Sequence, residues 1–428
     1  MTKLLTLLLT LLARMYVWRF RPVIVGITGN AGKTTTKEAV AAVLATRYRV
    51  RATGGNLNNE LGLPATIIGD HADAYYREGG TRMFWLSVLA GGIAGLFGSA
   101  QRYPEVLVLE YGADRPGDIR RLAARFRPTV AVVTQVGDVP VHVEFFASPR
   151  ELAVEKAQLV RALSAQGDAV LNGDDLSVLE MRDATKAETH TFGIGPGASV
   201  RVSDIHVKYS GERPVGVSFN ITADGASMPC VVSGVIGAGV ARAAAAAVAV
   251  GMARGIGLAD AVEAVSRMSP PPGRLHILSG IRGSIVIDDT YNASPAAMHI
   301  AIDAIRELPG RKVLVLGDMR ELGSYSVQAH QSIGTMAAAV ADELVAVGES
   351  GRFIADAAGN QLAPERVHWY PDSAIAAPEV QRLIRSGDVV LVKGSQGVRM
   401  ERIVREIMAE PQRAPQLLVR QSARWLTK

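Results

Sequence analysis

The chain has 428 residues, which is enough for two to four domains. Its 48% apolar and 20% charged residues are typical of a globular protein and exclude disordered and fibrous classes. The net charge of +5 is too dilute to predict a nucleic-acid partner. Cys230 is the single cysteine, so an internal disulfide and a thiolate zinc site are excluded, and we expect a cytoplasmic protein.

The chain begins with an apolar stretch at residues 4–13, followed by Arg14, Arg19 and Arg21. Ten residues are about half of a membrane span, and no small-residue cleavage site follows. We therefore predict an apolar and basic helix over residues 1–21. It either lies peripherally on the inner face of the membrane or packs over the following domain. A second uncharged stretch, residues 83–100, contains four glycines and predicts a buried or interfacial helix.

Short apolar runs alternate with helical patterns along most of the chain, which predicts an α/β fold with parallel sheets. Between residues 200 and 232 the alternation changes to antiparallel hairpins, with Val217, Phe219 and Ile221 on one face. A proline run ending at Gly273 separates the two halves. We predict a central P-loop-type domain at 22–269 with a mostly parallel sheet, and a Rossmann-like α/β C-terminal domain at 270–428. Strands are predicted at residues 23–26, 106–109, 130–133, 169–171, 285–287, 313–316, 343–347 and 389–392.

A phosphate-binding loop is predicted where the first strand meets a helix. Backbone N–H groups and the helix N-terminus would bind phosphate oxygens, Lys33 would reach the terminal phosphates, and the Thr34 hydroxyl would bind magnesium. Glu110 ends a buried strand and adds a carboxylate oxygen, the ligand type that magnesium prefers. The loop residues predicted to bind the nucleotide are Gly29, Asn30, Ala31, Gly32, Lys33, Thr34 and Thr35.

Ser148 and Glu151 form a capping box with Pro149 at the first helical position. This pattern predicts a helix that carries Lys156. Considered alone, Lys156 would be a solvated helix charge.

With these elements in order, the sequence resembles the Mur ligase family of ATP-dependent amide-bond-forming enzymes over residues 25–402. It is most similar to the branch that adds D-alanyl-D-alanine to a UDP-linked muramoyl tripeptide in peptidoglycan synthesis and cell-wall biogenesis. The matching segments are 26–38, 55–64, 109–112, 116–117, 142–144, Lys156, 172–175, 273–274, 288–293, 317–319, 321–323, His330 and 393–395.

The resemblance implies catalytic roles for Lys33, Glu110, His142 and Lys156. Thr34 and Glu110 would hold one Mg²⁺, and His142 with a carbamylated Lys156 would hold a second. Arg274 and Asp289 would contact ATP from the second domain, so that catalysis requires domain closure. The substrate-binding residues that the resemblance implies are Asn58, Asn59, Tyr291, Asn292, Lys393 and Ser395.

The implied reaction converts a carboxylate and ATP to an acyl phosphate, which an amine then attacks. The implied partners are small molecules, a muramoyl peptide and D-alanyl-D-alanine, and the expected state is a monomer. Because only 22 residues precede Val23, we expect the family's separate N-terminal UDP-binding domain to be absent. The chain also carries Gln396 where an arginine is usual in the family. The usual His-Asn pair near the adenine is also missing at Gly239 and Val240.

These departures leave other functions open. One alternative is a Mur-type ligase with a non-UDP acceptor, either lipid-linked or another peptide or poly-amino acid. A second is a non-catalytic ATP-binding scaffold, although a scaffold has no need of two metal sites. Folate polyglutamylation uses the same architecture, but the Asp-Asp-Thr-Tyr-Asn-Ala element at residues 288–293 argues against it.

Overall fold

The computed structural model describes residues 2–55, 57–137, 146 and 148–426. The elements before the proline run are α1 (Thr2–Phe20), β1 (Val23–Thr28), α2 (Lys33–Ala45), β2 (Val50–Ala52), α3 (Gly62–Ile68), α4 (Ala72–Glu78), α5 (Arg82–Leu96), β3 (Val106–Glu110), α6 (Asp118–Arg125), β4 (Val130–Val133), α7 (Pro149–Arg161), β5 (Asp168–Asn172), α8 (Leu176–Leu179), β6 (Glu188–Gly193), β7 (Val200–Ser210), β8 (Arg213–Ala223), β9 (Ala226–Ser233), α9 (Ala238–Ala253) and α10 (Leu258–Ser266).

The elements after the proline run form the second half of the molecule. They are β10 (His276–Ser279), β11 (Ile285–Asp289), α11 (Pro295–Arg306), β12 (Lys312–Gly317), α12 (Ser326–Ala338), β13 (Glu343–Val347), α13 (Gly351–Ala358), β14 (Val367–Tyr370), α14 (Ser373–Leu383), β15 (Val389–Lys393), α15 (Glu401–Ile407), α16 (Ala414–Leu417) and α17 (Ala423–Leu426).

The first half is built on a nine-stranded sheet of order β2-β3-β1-β4-β5-β6-β7-β8-β9. In this spatial order, the seven strands from β2 through β1 to β7 pair in parallel. Strands β8 and β9 then extend the edge of the sheet as antiparallel hairpins. This confirms the predicted α/β class and the hairpins. Because β1 and β3 are neighbours with Ile27 opposite Glu110, the end of β3 lies beside the loop that follows β1.

Both faces of this sheet are covered, as its continuous apolar strands predict. Val25 and Ile27 point into a core shared with α2 and the alanine-rich helix α9. Ile24 points to the opposite core, which contains residues of α1, α3, α5, α6 and α7. The alternation of side chains along β1 thus divides the apolar residues between two layers of helices.

The second half contains a six-stranded sheet of order β10-β11-β15-β12-β13-β14. Only its edge strand β10 is antiparallel, and helices lie on both faces. This confirms the predicted Rossmann-like α/β arrangement. The register of β11 and β15 sets Asp289 opposite Lys393 at the carboxyl ends of both strands.

Helix α1 packs along the first half through Leu9, Leu12, Ala13 and Tyr16, all of which are buried. The packed alternative for residues 1–21 is therefore observed, although the opposite side of the helix is exposed. The second uncharged stretch forms α5, which lies beside α1 and ends at Leu96. None of the described helices is long and apolar enough to cross a membrane.

Candidate active site

The loop between β1 and α2 has the backbone that phosphate binding requires. Gly32 adopts a left-handed conformation with φ 83° and starts α2, so the free N–H groups of the first turn point out of the helix. Gly29, with φ 142°, has no room for a Cβ because that atom would lie 2.0 Å from the Thr134 hydroxyl. The Lys33 amino group folds back to donate to the carbonyls of Gly29 at 2.8 Å and Asn30 at 3.3 Å.

Residues after β4 hold this loop in place. The Thr134 hydroxyl lies 2.7 Å from the Ala31 carbonyl, and Asn30 Nδ2 donates to the Val136 carbonyl at 2.6 Å. The other amide atom, Asn30 Oδ1, is buried without a partner in the described part of the chain. Sequence reasoning missed Thr134, because only the pairing of β1 with β4 brings it to the loop.

Glu110 lies at the end of β3 and joins two segments predicted to be functional. Its Oε2 accepts from the Thr34 hydroxyl at 3.2 Å, and its Oε1 accepts from Asn58 Nδ2 at 3.1 Å. Thr53, which the sequence did not reveal, accepts from the Glu110 N–H at 3.1 Å. The Thr34 hydroxyl and Glu110 carboxylate supply hard oxygen donors that fit Mg²⁺ beside the phosphate loop.

Lys156 lies on α7, whose N-terminus has the predicted cap, with Ser148 Oγ accepting from the Glu151 N–H. The preceding residue, Glu155, accepts from the N–H groups of Gly117 and Ile119 and so caps α6. Lys156 itself is only 2% exposed. It is therefore not the solvated charge that its helix position alone predicts.

Burial and the nearby positive charge of Lys33 lower the pKa of the Lys156 amino group to about 7. The carboxylates of Glu155, Asp114 and Glu110 oppose this shift. Burial likewise lowers the pKa of Lys33, against the opposing charge of Glu110. A lysine with a pKa of about 7 is about half neutral at pH 7, and its neutral amine can act as the nucleophile that carbamylation by CO₂ requires.

His142, the other predicted ligand of the second magnesium, lies outside the described residues. The predicted pairing of His142 with Lys156 therefore stays a prediction.

Arg274 reaches across from the second half of the molecule. Its Nη2 donates to the Thr34 hydroxyl at 3.3 Å, and its guanidinium lies 4.0 Å from the centre of the Tyr291 ring. Its Nε is buried without an acceptor in the described part of the chain. A phosphate oxygen would satisfy this donor, so the position fits an arginine that binds nucleotide phosphate.

Asp289 and Lys393, predicted to bind ATP and substrate respectively, contact each other. Lys393 Nζ lies 2.6 Å from Asp289 Oδ2 and also donates to the Asn292 carbonyl at 2.9 Å. Asp289 Oδ1 accepts from the Leu275 N–H at 3.2 Å, which ties the residue after Arg274 to β11. The pair therefore fixes the segment that presents Arg274.

Two other predicted substrate residues make contacts within the protein. Asn59 Oδ1 accepts from the N–H groups of Leu61 and Gly62 and so stabilises the start of α3. The Ser395 hydroxyl accepts from the Arg320 N–H at 2.9 Å. Their substrate contacts stay predictions.

Several charged residues beneath Tyr291 were missed by sequence reasoning. Arg420 donates to the carbonyls of Thr290 and Tyr291, and it pairs with the buried Glu401 at 3.0 Å. Arg399 also pairs with Glu401 at 2.5 Å. No local motif marks Arg420, because its pair with Glu401 joins α15 to the segment that precedes α17.

A cavity of about 260 Å³ lies where this C-terminal segment meets the first half of the molecule. Asn59 and Gln396 line it, together with the aromatic rings of Tyr76, Trp85 and Trp425. The cavity brings a predicted substrate residue of the first half next to the position where the family usually has arginine.

Comparison with known proteins places this geometry in a family. Residues 27–76 and 92–251 match the Mur ligase middle domain, and residues 273–396 match the Mur ligase, glutamate ligase domain. The UDP-N-acetylmuramoyl-tripeptide--D-alanyl-D-alanine ligase of Bacillus subtilis is 29% identical over 94% of this chain and 79% of its own. Its counterpart in Mycobacterium leprae is 32% identical over 88% of this chain and 71% of its own length.

A solved structure gives the same assignment. A MurF ligase from Thermotoga maritima in complex with ADP is 28% identical, with a TM-score of 0.77 over 93% of this chain and 82% of that one. The family resemblance predicted from the sequence motifs is therefore confirmed. The chain belongs to the Mur ligase family.

Proposed function

We propose that this protein is an ATP-dependent ligase that joins D-alanyl-D-alanine to a muramoyl peptide in peptidoglycan precursor synthesis. The observation that carries the proposal is the contact of Thr34 with both Glu110 and Arg274 at the start of α2. It unites a phosphate loop, oxygen ligands for Mg²⁺ and an arginine from the second half of the molecule. The relatives named above supply the proposed substrates.

The proposed residue roles follow from this contact. The loop from Gly29 to Thr35 binds the phosphates, and Lys33 faces the terminal phosphate. Thr34 and Glu110 hold Mg²⁺, which lowers the cost of negative charge on the transferred phosphoryl group. Arg274 and Asp289 contribute from the second domain, residues 270–428, which closes on the central domain, residues 22–269.

Lys156 has a separate proposed role. Addition of CO₂ to its neutral amine forms an N–C bond and releases a proton, leaving a carbamate with carboxylate-like oxygens. Together with His142, this group would hold a second Mg²⁺. The low pKa of Lys156 and the adjacent Lys33 support the proposal, because the carbamate replaces one of two neighbouring positive charges with a negative one.

In the proposed reaction, a carboxylate oxygen of the acceptor attacks the γ-phosphorus of ATP and ADP leaves. The amine of D-alanyl-D-alanine then attacks the acyl carbon, an amide bond forms and inorganic phosphate leaves. Asn58, Asn59, Tyr291, Asn292, Lys393 and Ser395 are the proposed substrate contacts.

A lipid-linked muramoyl peptide is a second candidate acceptor. The specific observation in its favour is the exposed apolar side of α1, which would bring the enzyme to a membrane surface.

The test measures phosphate release and product mass with ATP, Mg²⁺ and D-alanyl-D-alanine, using UDP-muramoyl tripeptide and its lipid-linked form as acceptors. We expect phosphate release to require both the acceptor and the dipeptide. Lys33→Ala should lower turnover by about 10²- to 10³-fold, because a charge on the terminal phosphates is lost. The exposed Lys186→Ala serves as the matched control. Phosphate release without any amide product, or full activity of Lys33→Ala, would contradict the proposal.

A further inference from the structure

The outer sides of α1 and α5 form an exposed apolar surface. Of the nineteen large apolar side chains exposed in the described part of the chain, nine belong to these two helices and a tenth, Phe97, directly follows α5. Trp18 is 77% exposed, Met83 76% and Phe97 84%. The ten residues of this α1–α5 surface are Leu4, Leu7, Leu8, Leu11, Met15, Trp18, Met83, Leu86, Ile93 and Phe97.

The two helices lie side by side and run in the same direction. Tyr16 donates to the Gly92 carbonyl at 2.7 Å, and Arg19, one turn later, donates to the Gly98 carbonyl at 3.3 Å. A Cβ on Gly92 would meet Leu12, and one on Gly95 would meet the Tyr16 hydroxyl. These close contacts hold the two exposed stripes next to each other on one part of the molecule.

The spacing of the exposed residues shows a continuous stripe on each helix. Leu4, Leu7, Leu8, Leu11 and Met15 recur at intervals of three and four, which places them on one side of α1. The opposite side of α1 is also apolar and is buried in the core. A helix that is apolar on both sides needs an apolar environment for the second side, and water does not supply it.

The two chain segments that form this surface carry only positive charges. No aspartate or glutamate occurs at residues 1–37 or 79–104. The basic residues of the two segments outside the phosphate loop and α2 are exposed, and they are Lys3, Arg14, Arg19, Arg21, Arg82 and Arg102. A second copy of the chain would bring like charges together, whereas anionic lipid headgroups complement them.

From these observations we propose that the α1–α5 surface binds the surface of an anionic lipid bilayer. The apolar stripes enter the boundary between headgroups and acyl chains, and the flanking arginines contact lipid phosphates. Neither helix spans the bilayer, since the inner side of α1 stays packed on the protein. The family match begins at residue 27 and omits residues 77–91, so α1 and most of α5 lie outside the matched segments. The proposal does not depend on the proposed reaction.

Truncation before Arg21 cannot test this idea, because it also removes the buried Leu9, Ala13 and Tyr16. The experiment therefore uses the full chain in co-sedimentation with phosphatidylglycerol/phosphatidylethanolamine vesicles, in the absence of ATP and substrates. The test variant is Leu7→Ser/Leu11→Ser/Trp18→Ser, whose side chains are all exposed. The matched control is Leu176→Ser/Val327→Ser/Ile375→Ser, which removes exposed apolar groups elsewhere. Thermal unfolding checks that both variants fold.

We expect the wild type and the control to pellet with anionic vesicles at low salt, and the test variant to lose binding by at least about tenfold. Arg14→Gln/Arg82→Gln should weaken binding to anionic vesicles about fivefold for each arginine and leave binding to phosphatidylcholine unchanged. The proposal is overturned if the wild type stays in the supernatant, or if the test variant binds as well as the wild type. It is also overturned if, without lipid, the wild type is a dimer that the test variant disrupts.

Discussion

Two buried lysines, one in each half of the molecule, share the same burial but differ in their partners. Lys156 on α7 is 2% exposed and Lys393 at the end of β15 is 1% exposed. Burial lowers the pKa of both. The Asp289 carboxylate, 2.6 Å from Lys393 Nζ, opposes the lowering of the Lys393 pKa more strongly than Arg274 adds to it. For Lys156, the positive charge of Lys33 is the largest influence after burial, and it lowers the pKa further.

The difference separates a lysine that is held by an ion pair from one that is available for reaction. A buried charge with a counter-charge in contact ties two elements together, as Lys393 ties β15 to β11. A buried lysine beside another cation loses its proton near neutral pH and becomes available for chemistry. The predictions below test this distinction, in order of decreasing effect.

The largest expected effect is on the paired lysine. Lys393→Met should lower the free energy of unfolding by about 3–5 kcal/mol, because the Asp289 carboxylate stays buried without its partner. Urea unfolding followed by circular dichroism measures the change, with the exposed Lys208→Met as the matched control.

The double variant Lys393→Met/Asp289→Asn should recover most of this loss, since the uncompensated charge is gone and Asn still accepts from the Leu275 N–H. If the double variant is less stable than Lys393→Met, the ion pair does not account for the loss.

Removing Lys156, which has no ion-pair partner among the described residues, should impair activity and leave the protein folded. Lys156→Ala should lower turnover by about 10²-fold, since the carbamate oxygens that orient the second Mg²⁺ are lost. Acetate or formate should restore part of the activity by supplying a carboxylate in the vacated space. Arg161→Ala, on the exposed side of the same helix, should be unaffected.

The carbamate itself is detectable by mass spectrometry under native conditions and by ¹³C NMR with labelled bicarbonate. The role of Lys156 is refuted if the fully active enzyme carries an unmodified lysine when CO₂ has been removed.

The smallest expected effect concerns Asp288, a buried acid with no cationic partner in contact among the described residues. Burial raises the pKa of its carboxyl to about 7, well above the value near 3.8 of an exposed aspartate. The folded protein therefore retains a proton that the unfolded chain loses. The contribution of protonated Asp288 to the free energy of unfolding is fully present below about pH 4 and is lost as the pH rises through about 7.

Asp288→Asn should remove this contribution. Between pH 4 and about pH 5.5, the difference in unfolding free energy between variant and wild type should shift in favour of the variant by about 1–2 kcal/mol. Urea unfolding at a series of pH values measures it, and the exposed Asp303→Asn should show no such trend. A constant difference across this range would show that Asp288 is ionised in the folded protein.

Local patterns were sufficient for much of the fold. The apolar runs predicted eight strands of the two sheets, because a strand covered on both faces must be apolar along its length. The spacing of Gly32, Lys33 and Thr34 between strand and helix predicted the phosphate loop, since its geometry depends on a few adjacent residues.

The sequence by itself determined features whose physical cause lies within about ten residues, namely the phosphate loop and the cap at Ser148. It also excluded an internal disulfide, because the whole chain contains a single cysteine. Only the tertiary structure decided which side chains meet. Asn58 holds Glu110 and Asp289 pairs with Lys393 because β3 and β15 insert beside strands that are distant in the chain. The pKa of Lys156 likewise depends on burial and on charges from other segments, which no local pattern encodes.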